Sequence, residues 1–133
     1  GIDAARDRVG GDEVSQGSEL WSQVKEHRHD FFTAQRPMWR LSLDSATTPL
    51  GIEGPWLFDW GGAQRWLCSD PDARAVRSLA QAHGGHATLY RGDPQRDQVF
   101  HPLPDGLMTL HRRLKQAFDP HGIFNPGRMY REL

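Results

Sequence analysis

Arg65 is the side chain whose type and neighbours most readily suggest chemistry. It lies between Trp60 and Trp66, in a stretch whose alternation predicts a strand. A strand arginine held beside aromatic rings could bind the carboxylate of a small substrate in two-pronged fashion. The alternative is an exposed cross-strand arginine whose stem packs on tryptophan. The residues alone leave both interpretations open.

The seven histidines invite a metal site, but their spacing does not predict one. His83 and His86 are three residues apart, yet Gly84 and Gly85 lie between them and end a helix. The two rings therefore do not share one helix face, and no acidic cluster converges on them. We expect no metal site, and histidines that are solvated or hydrogen-bonded.

Cys68 is the only cysteine, which excludes an intramolecular disulfide and cysteine-rich zinc or iron–sulfur sites. It falls at the end of a predicted strand, so a structural thiol is favoured over a nucleophile. The reducing cytoplasm is the expected compartment. The sequence contains no glycine-rich phosphate loop and no G-x-S-x-G elbow.

Composition and charge narrow the class of protein. The chain has 133 residues, is 37% hydrophobic and 25% charged, and carries a net charge of -1. These values predict a folded domain with no general attraction to nucleic acid or to an anionic membrane. No stretch approaches the roughly 18 to 20 apolar residues of a membrane span.

The N-terminal segment is unlike the rest of the chain. Residues 1–17 are polar, contain three internal glycines and do not begin with Met. They predict a linker, followed by one domain over residues 18–133. We expect a fragment whose partner domain lies upstream; the alternative is a processed or tag-cleaved end.

Hydrophobic periodicity predicts an α+β fold, with an antiparallel sheet of about four strands and helices covering one face. Gly61-Gly62 between two alternating runs predicts a tight hairpin. Ser69 or Asp70 is predicted to cap the middle helix, which ends at Gly84. The predicted order is a helix over Ser18 to Phe32, a strand over Met38 to Leu43, the hairpin strands Trp56 to Trp60 and Ala63 to Cys68, the middle helix, a strand over His86 to Tyr90, and a last helix opened by Pro104-Asp105 and stopped by Asp119-Pro120.

The tail after the last helix is the most unusual stretch. It reads DPHGIFNPGRM from Asp119 to Met129 and contains Asn125, the only asparagine. It resembles the C-terminal signature of FAD-linked oxidases of the vanillyl-alcohol oxidase type, in which the last helix runs into an Asp-Pro-x-x-x-x-Asn-Pro-Gly-Lys-like sequence. Arg128 replaces the common lysine and keeps the charge.

Three further stretches narrow the resemblance. Asp59 to Trp66 (DWGGAQRW), Gly84 to Arg91 (GGHATLYR) and Trp39 to Ser42 (WRLS) are similar to pieces of glycolate oxidase FAD-binding subunits (GlcE-like). Asp59 stands where glutamate is more usual. The resemblance runs from about Trp21 to Tyr130 and covers the C-terminal half of such a subunit.

The resemblance implies a function that the residues alone do not. The chain would be the C-terminal (cap) domain, with the FAD-binding domain upstream and FAD bound mainly there. The subunit would oxidise a 2-hydroxy acid such as glycolate to a 2-oxo acid, within glyoxylate metabolism, and pass hydride to FAD. Its partners would be a paralogous flavin subunit and an iron–sulfur subunit. It would lie in the cytoplasm, or at the membrane through those partners, and the isolated fragment would be inactive.

The resemblance also implies residue roles. Arg65 would clamp the substrate carboxylate, His86 would take the hydroxyl proton, and Asn125 would contact the flavin or support the domain junction. Related enzymes carry a Gly-Asp-Gly-Asn-x-His stretch that helps to bind a metal; here His86 stands without an acid, so no catalytic metal is expected. Two alternatives remain: a flavin that only relays electrons for the paralogue, and a non-enzymatic α+β module that binds a partner or a small anion.

Overall fold

A computed structural model describes residues 1–10, 14–93 and 98–133. The chain divides into two units, Gly1–Ala34 and Gln35–Leu133. The first unit contains short helices, and the second contains the sheet and the longest helix. The helices are α1 (Ile2–Val9), α2 (Gly17–Lys25), α3 (Asp30–Thr33), α4 (Ala73–Ala82) and α5 (Asp105–Phe118).

The first unit corrects the prediction of a single helix from Ser18 to Phe32. The chain leaves the helical conformation at His27, where φ is 53°, and the His29 imidazole then caps α3 by accepting from Phe31 N. The ring of His27 stacks on Phe32 with centroids 4.3 Å apart. Helix α1 was not predicted and has no buried residue. The linker role of residues 1–17 stays a prediction.

The second unit is built on a four-stranded antiparallel sheet in the order β2-β3-β1-β4. This arrangement confirms the α+β class and the antiparallel sheet. Strand β1 is central and pairs with β3 on one side and β4 on the other. The strands are β1 (Met38–Ser42), β2 (Trp56–Asp59), β3 (Gln64–Cys68) and β4 (His86–Arg91).

Alternation along β1 separates the two faces of the sheet. Trp39 and Leu41 are fully buried in the core with Val76 of α4. The register places Arg40 and Ser42 on the opposite face, because successive residues of a strand point to opposite sides. Met38, which the same alternation assigns to that outer face, is itself buried. The sheet therefore presents one face to α4, while the other face carries both polar side chains and the buried Met38 and Trp66.

The β2–β3 turn differs from the predicted two-residue hairpin. Trp60–Gly62 form a turn of 3₁₀ helix, with positive φ at both Trp60 and Gly61. The Asp59 carboxylate accepts from Trp60 N at 2.8 Å and holds the start of this turn. Trp60 therefore lies outside the strand in which it was predicted, and it is 78% exposed.

Helix α4 begins one turn later than predicted. Its cap is Asp72, whose carboxylate accepts from Ala75 N at 2.9 Å, rather than Ser69 or Asp70. Its end is as predicted, with Gly84 in the left-handed region at φ 71°. Gly85 then brings the chain against β1, since a Cβ there would lie 2.6 Å from Leu43 Cδ2. This close approach starts β4 in register with β1.

Candidate active site

A cavity of about 810 Å³ lies beside the outer face of the sheet and reaches the end of α4 at Gln81 and Gly84. Its floor is the outer face of β1 and β4, and its other walls come from the loop before α5, from α5 itself and from the tail. Among the described residues that line it there is no aspartate or glutamate. Its polar side chains include Arg40, His86, Thr88, His101, His111 and Tyr130. A concave site with this set of groups suits a small anion.

Two of these groups share one face of the sheet floor. Arg40 pairs with Thr88 across the β1–β4 ladder, and Ser42 pairs with His86 in the next row on the same face. Arg40 and His86 are thus diagonal neighbours, a relation that places backbones about 7–8 Å apart in an antiparallel sheet. Both side chains are exposed. The strand alternation alone had already placed Arg40 on this outer face.

His101 closes the free edge of β4. Its Nδ1 accepts from Ala87 N at 3.3 Å, next to the bond that Leu89 N donates to Val99 O. The pKa of His101 is lowered, first by burial and then by electrostatic interaction with His86 and Arg77. A neutral ring whose Nδ1 accepts carries its proton on Nε2. His101 therefore lies at the cavity as a neutral donor.

Tyr130 anchors the tail over the cavity. Its hydroxyl donates to His101 O at 3.0 Å, and its ring meets that of His111 edge-on at 6.4 Å between centroids. Burial raises the pKa of the Tyr130 phenol, so the hydroxyl stays protonated at neutral pH. The sequence predicted no role for His101 or Tyr130. The pairing that joins them spans 29 residues, and no local pattern reveals it.

Arg65 lies on the other face of the sheet and is 2% exposed. Its Nε donates to Gly62 O at 2.9 Å and its Nη1 to Thr48 O at 3.1 Å, while Nη2 donates to Thr47 O. The guanidinium lies over the Phe58 ring at 5.2 Å. The expected alternative role, an exposed arginine packed on tryptophan, is therefore wrong in its exposure and in its aromatic partner. Arg65 is not among the residues that line the cavity of His86.

The tail is organised by one carboxylate. Asp119 is 6% exposed and accepts from Lys115 Nζ at 2.6 Å, Ile123 N at 2.9 Å and Phe124 N at 2.9 Å. The Lys115 bond is the main cause that lowers the Asp119 pKa from 3.8 to about 2. The Asp-Pro of the tail signature thus has a physical role, because it folds the segment that follows the helix.

Asn125 follows this carboxylate cage in the left-handed region, with φ 46°. It lines a second, mainly apolar cavity of about 380 Å³ between the end of α5 and the tail. Its side chain is exposed. Asn125 is not among the residues that line the Arg40–His86 cavity.

Helix α5 has the predicted apolar stripe, but none of its residues is buried. Leu110 and Leu114 are more than half exposed, and Phe118 is 80% exposed. Ile123 and Phe124 of the tail extend this surface and are also largely exposed. A contiguous apolar face of this kind is typical of a surface that another part of a protein covers. We call these five residues the α5–tail face.

Two comparisons with known proteins found sequences similar to this chain. Residues 94–129 match the family described as FAD linked oxidases, C-terminal domain. Over 132 residues, 99% of this chain, the sequence is 42% identical to the glycolate oxidase subunit GlcE of Escherichia coli (strain K12). The chain is thus similar to FAD-linked oxidases at its C-terminal segment and to one glycolate oxidase subunit along almost its whole length. The resemblance that the tail and the three strand segments indicated is thereby confirmed.

These matches cover part of a longer protein. The chain spans 36% of the length of the Escherichia coli subunit, so that protein's activity is not transferred to this chain by the match alone. No solved structure matched the chain. Within the described ranges, no helix is long and apolar enough to cross a membrane. In those same ranges no three His, Cys, Asp or Glu side chains gather where a metal ion could bind.

Proposed function

We propose that this chain is the C-terminal part of an FAD-dependent oxidoreductase subunit that oxidises a 2-hydroxy acid such as glycolate to a 2-oxo acid. One observation carries the proposal. A chain 42% identical to a glycolate oxidase subunit holds a cavity lined by Arg40 and three histidines and, among its described lining, no acid. A small hydroxy-acid anion is the kind of ligand that such a lining favours.

Within this cavity His86 is the proposed acceptor of the hydroxyl proton. It is exposed at the start of β4, on the face where an anion would rest. An imidazole is the side chain best matched to proton transfer near neutral pH. His101 is fixed beside β4 as a neutral ring, and its Nε2 hydrogen can bind the same anion without adding a full charge.

The proposed role of Arg65 as the carboxylate clamp has weak support from the geometry. Its guanidinium is spread over three main-chain carbonyls on the far side of the sheet. Those contacts favour a structural role, in which Arg65 ties the segment before β2 to the hairpin turn. The proposal for Arg65 is therefore tested below through folding as well as through substrate affinity.

The chain's own residues fit FAD only in part. The sequence holds no phosphate loop, and the described surface offers an apolar face and a polar cavity rather than a closed flavin site. We propose that an N-terminal domain binds FAD mainly through its own residues, while Asn125 contacts the flavin or the domain that holds it. When bound, FAD would accept the hydride that leaves the α-carbon of the hydroxy acid.

The α5–tail face supports the proposal that residues 18–133 are one domain of a larger subunit, with residues 1–17 as the linker. The match to 36% of a longer relative leaves ample chain to cover Leu110, Leu114 and Phe118. By itself, the 133-residue chain is then expected to bind FAD weakly and to be inactive. A non-enzymatic module that binds a partner would also use such a face. Bound FAD in the full-length protein would distinguish the oxidoreductase subunit from such a module.

The proposed partners are a paralogous flavin subunit and an iron–sulfur subunit. The name of the relative, a glycolate oxidase subunit, supports an assembly of several chains. Cys68 is buried and alone, so the cluster would belong to another chain. We propose a cytoplasmic location, with attachment to the membrane only through these partners.

The test is turnover by the full-length subunit assembled with its partners. Replacing His86 by glutamine should lower kcat for glycolate by about 100-fold or more, because general-base catalysis contributes that much. His121→Gln, an exposed tail histidine outside the cavity, is the matched control and should keep its rate. An assembly whose H86Q variant turns over normally would remove His86 from the mechanism, and an assembly that oxidises no 2-hydroxy acid would refute the function.

A further inference from the structure

We propose that Arg40, rather than Arg65, binds the carboxylate of the substrate anion. This inference rests on the proposed function but concerns a residue to which neither the sequence motifs nor the resemblance assigns a role. Arg40 stands in the middle of the central strand β1 and lines the same cavity as His86.

The position of Arg40 in the sheet is unusual for a charged side chain. Its neighbours along β1, Trp39 and Leu41, are fully buried, while Arg40 itself is exposed. Across the ladders it pairs with Trp66 of β3 and Thr88 of β4. A central strand is the least mobile part of a sheet, so the arginine starts from a rigid backbone in the cavity floor.

The guanidinium of Arg40 is available to a ligand. Among the described residues no carboxylate forms an ion pair with it, and no acidic residue is found in the described lining of the cavity. Arg65 differs in this respect, because main-chain carbonyls already receive its Nε, Nη1 and Nη2 donors. An exposed arginine with free donors suits the two oxygens of a carboxylate.

The spacing of the floor residues fits a small hydroxy acid. The Arg40–Thr88 row can bind the carboxylate through the guanidinium and the threonine hydroxyl. The adjacent row carries His86 on the same face, about 7–8 Å away along the diagonal between backbones. A molecule with its hydroxyl on the carbon next to the carboxylate would then present that hydroxyl toward the imidazole.

The experiment compares Arg40→Gln and Arg40→Lys with the wild type in the full-length subunit and its partners. The matched control is Arg113→Gln, an exposed arginine of α5 outside the described cavities. We expect R40Q to raise KM for glycolate by about 100-fold, which corresponds to the loss of a charge-assisted pair, with a smaller change in kcat. R40K should recover part of the affinity, and R113Q should stay within about twofold of the wild type.

A second measurement does not depend on turnover. Oxalate, a small carboxylate with no hydrogen to transfer, is titrated calorimetrically into the same proteins. Weaker oxalate binding in R40Q, with R113Q unchanged, would support the inference even if the wild type oxidised no 2-hydroxy acid, in which case only the proposed function would fail. Equal oxalate affinity in wild type and R40Q, or no oxalate binding at all, would overturn the inference, and R40K decides the matter if R40Q fails to fold.

Discussion

Asp119 holds the tail that carries the family signature, and its hydrogen bonds predict a pH dependence. The bond from Lys115 and the two amide bonds from Ile123 and Phe124 lower its pKa from 3.8 to about 2 in the folded chain. A carboxyl with a lowered folded-state pKa stabilises the fold above its unfolded pKa and loses that effect as the pH falls. The tail should therefore be fully ordered above pH 4 and should loosen between about pH 4 and pH 2.

Asp119→Asn should remove most of this order at neutral pH, because the amide cannot pair with Lys115 as a carboxylate does. Exchange of the Ile123 and Phe124 amide hydrogens should become faster by about tenfold or more, and it should no longer respond to pH in the same window. The control is Glu53→Gln, which replaces an exposed carboxylate outside the tail. Slow exchange in D119N would show that other contacts hold the tail.

Replacing Arg65 should lower the stability of this domain rather than its affinity for substrate. Arg65→Met would leave the carbonyls of Thr47, Thr48 and Gly62 without the donor that the buried guanidinium supplies. We expect a cost of about 3 kcal/mol in the free energy of unfolding of this domain, measured by hydrogen exchange of β3. The folded fraction should keep the wild-type KM, whereas a raised KM in folded protein would restore Arg65 as the clamp.

Local sequence patterns predict some properties of the site residues, whereas contacts between residues distant in the sequence were not predictable. Arg40 and His86 share one face of the sheet through the register of β1 with β4, which the alternation within each strand does not predict. His101 and Tyr130 could not be placed in advance, since the bonds to Ala87 N and His101 O join residues 14 and 29 positions apart. The burial of Arg65 was not predicted for the same reason, because its acceptors at Thr47 and Thr48 lie far away in the sequence.

At the scale of elements, the junction of α4 and β4 predicts a steric effect. A methyl group on Gly85 would overlap Ser42 O and approach Leu43 Cδ2 to 2.6 Å, so Gly85→Ala should push β4 away from β1. We expect a loss of about 1–3 kcal/mol or more, seen in thermal unfolding. Gly106→Ala in α5, where nothing lies within 4 Å, is the control and should be neutral or stabilising by up to about 1 kcal/mol.

Equal stability of the two glycine variants would contradict this prediction. If G85A and G106A unfold at the same temperature, the approach between Gly85 and β1 is not tight. The glycine would then have no role in starting β4.

A polar substitution on the apolar stripe of α5 should change stability by an amount that depends on the rest of the subunit. Leu114→Gln should change the stability of the 133-residue chain by less than about 0.5 kcal/mol, because the side chain is 55% exposed there. In a full-length subunit that covers the α5–tail face, the same change should cost about 2 kcal/mol or more. Gln116→Ala, on the polar side of the helix, is the control. Equal effects in both forms would mean that this face stays uncovered.

The elements were predicted best where their signals are local. Strands β1 and β3 and helix α5 lie close to their predicted bounds, since alternation and a proline stop are strong signals. The break at His27 was not predicted, because a non-glycine residue with positive φ leaves little trace in sequence. The apolar stripe of α5 is a local signal, but the stripe alone does not say what covers it.

At the scale of the whole molecule, the second unit has two features that one proposal explains. The second unit carries the cavity lined by Arg40 and His86 and the exposed α5–tail face. The chain corresponds to 36% of a glycolate oxidase subunit. Both features are explained if a flavin-binding domain completes the cavity and covers the helix.

The most direct test is an anaerobic titration of the full-length subunit, alone and with its partners, with glycolate and then with acetate. The account predicts that the purified subunit contains FAD and that glycolate, but not acetate, bleaches the flavin absorbance of the subunit alone. Bleaching only in the presence of the paralogous subunit would make this flavin an electron relay. A full-length protein without flavin, or with a flavin that glycolate never reduces, would contradict the account.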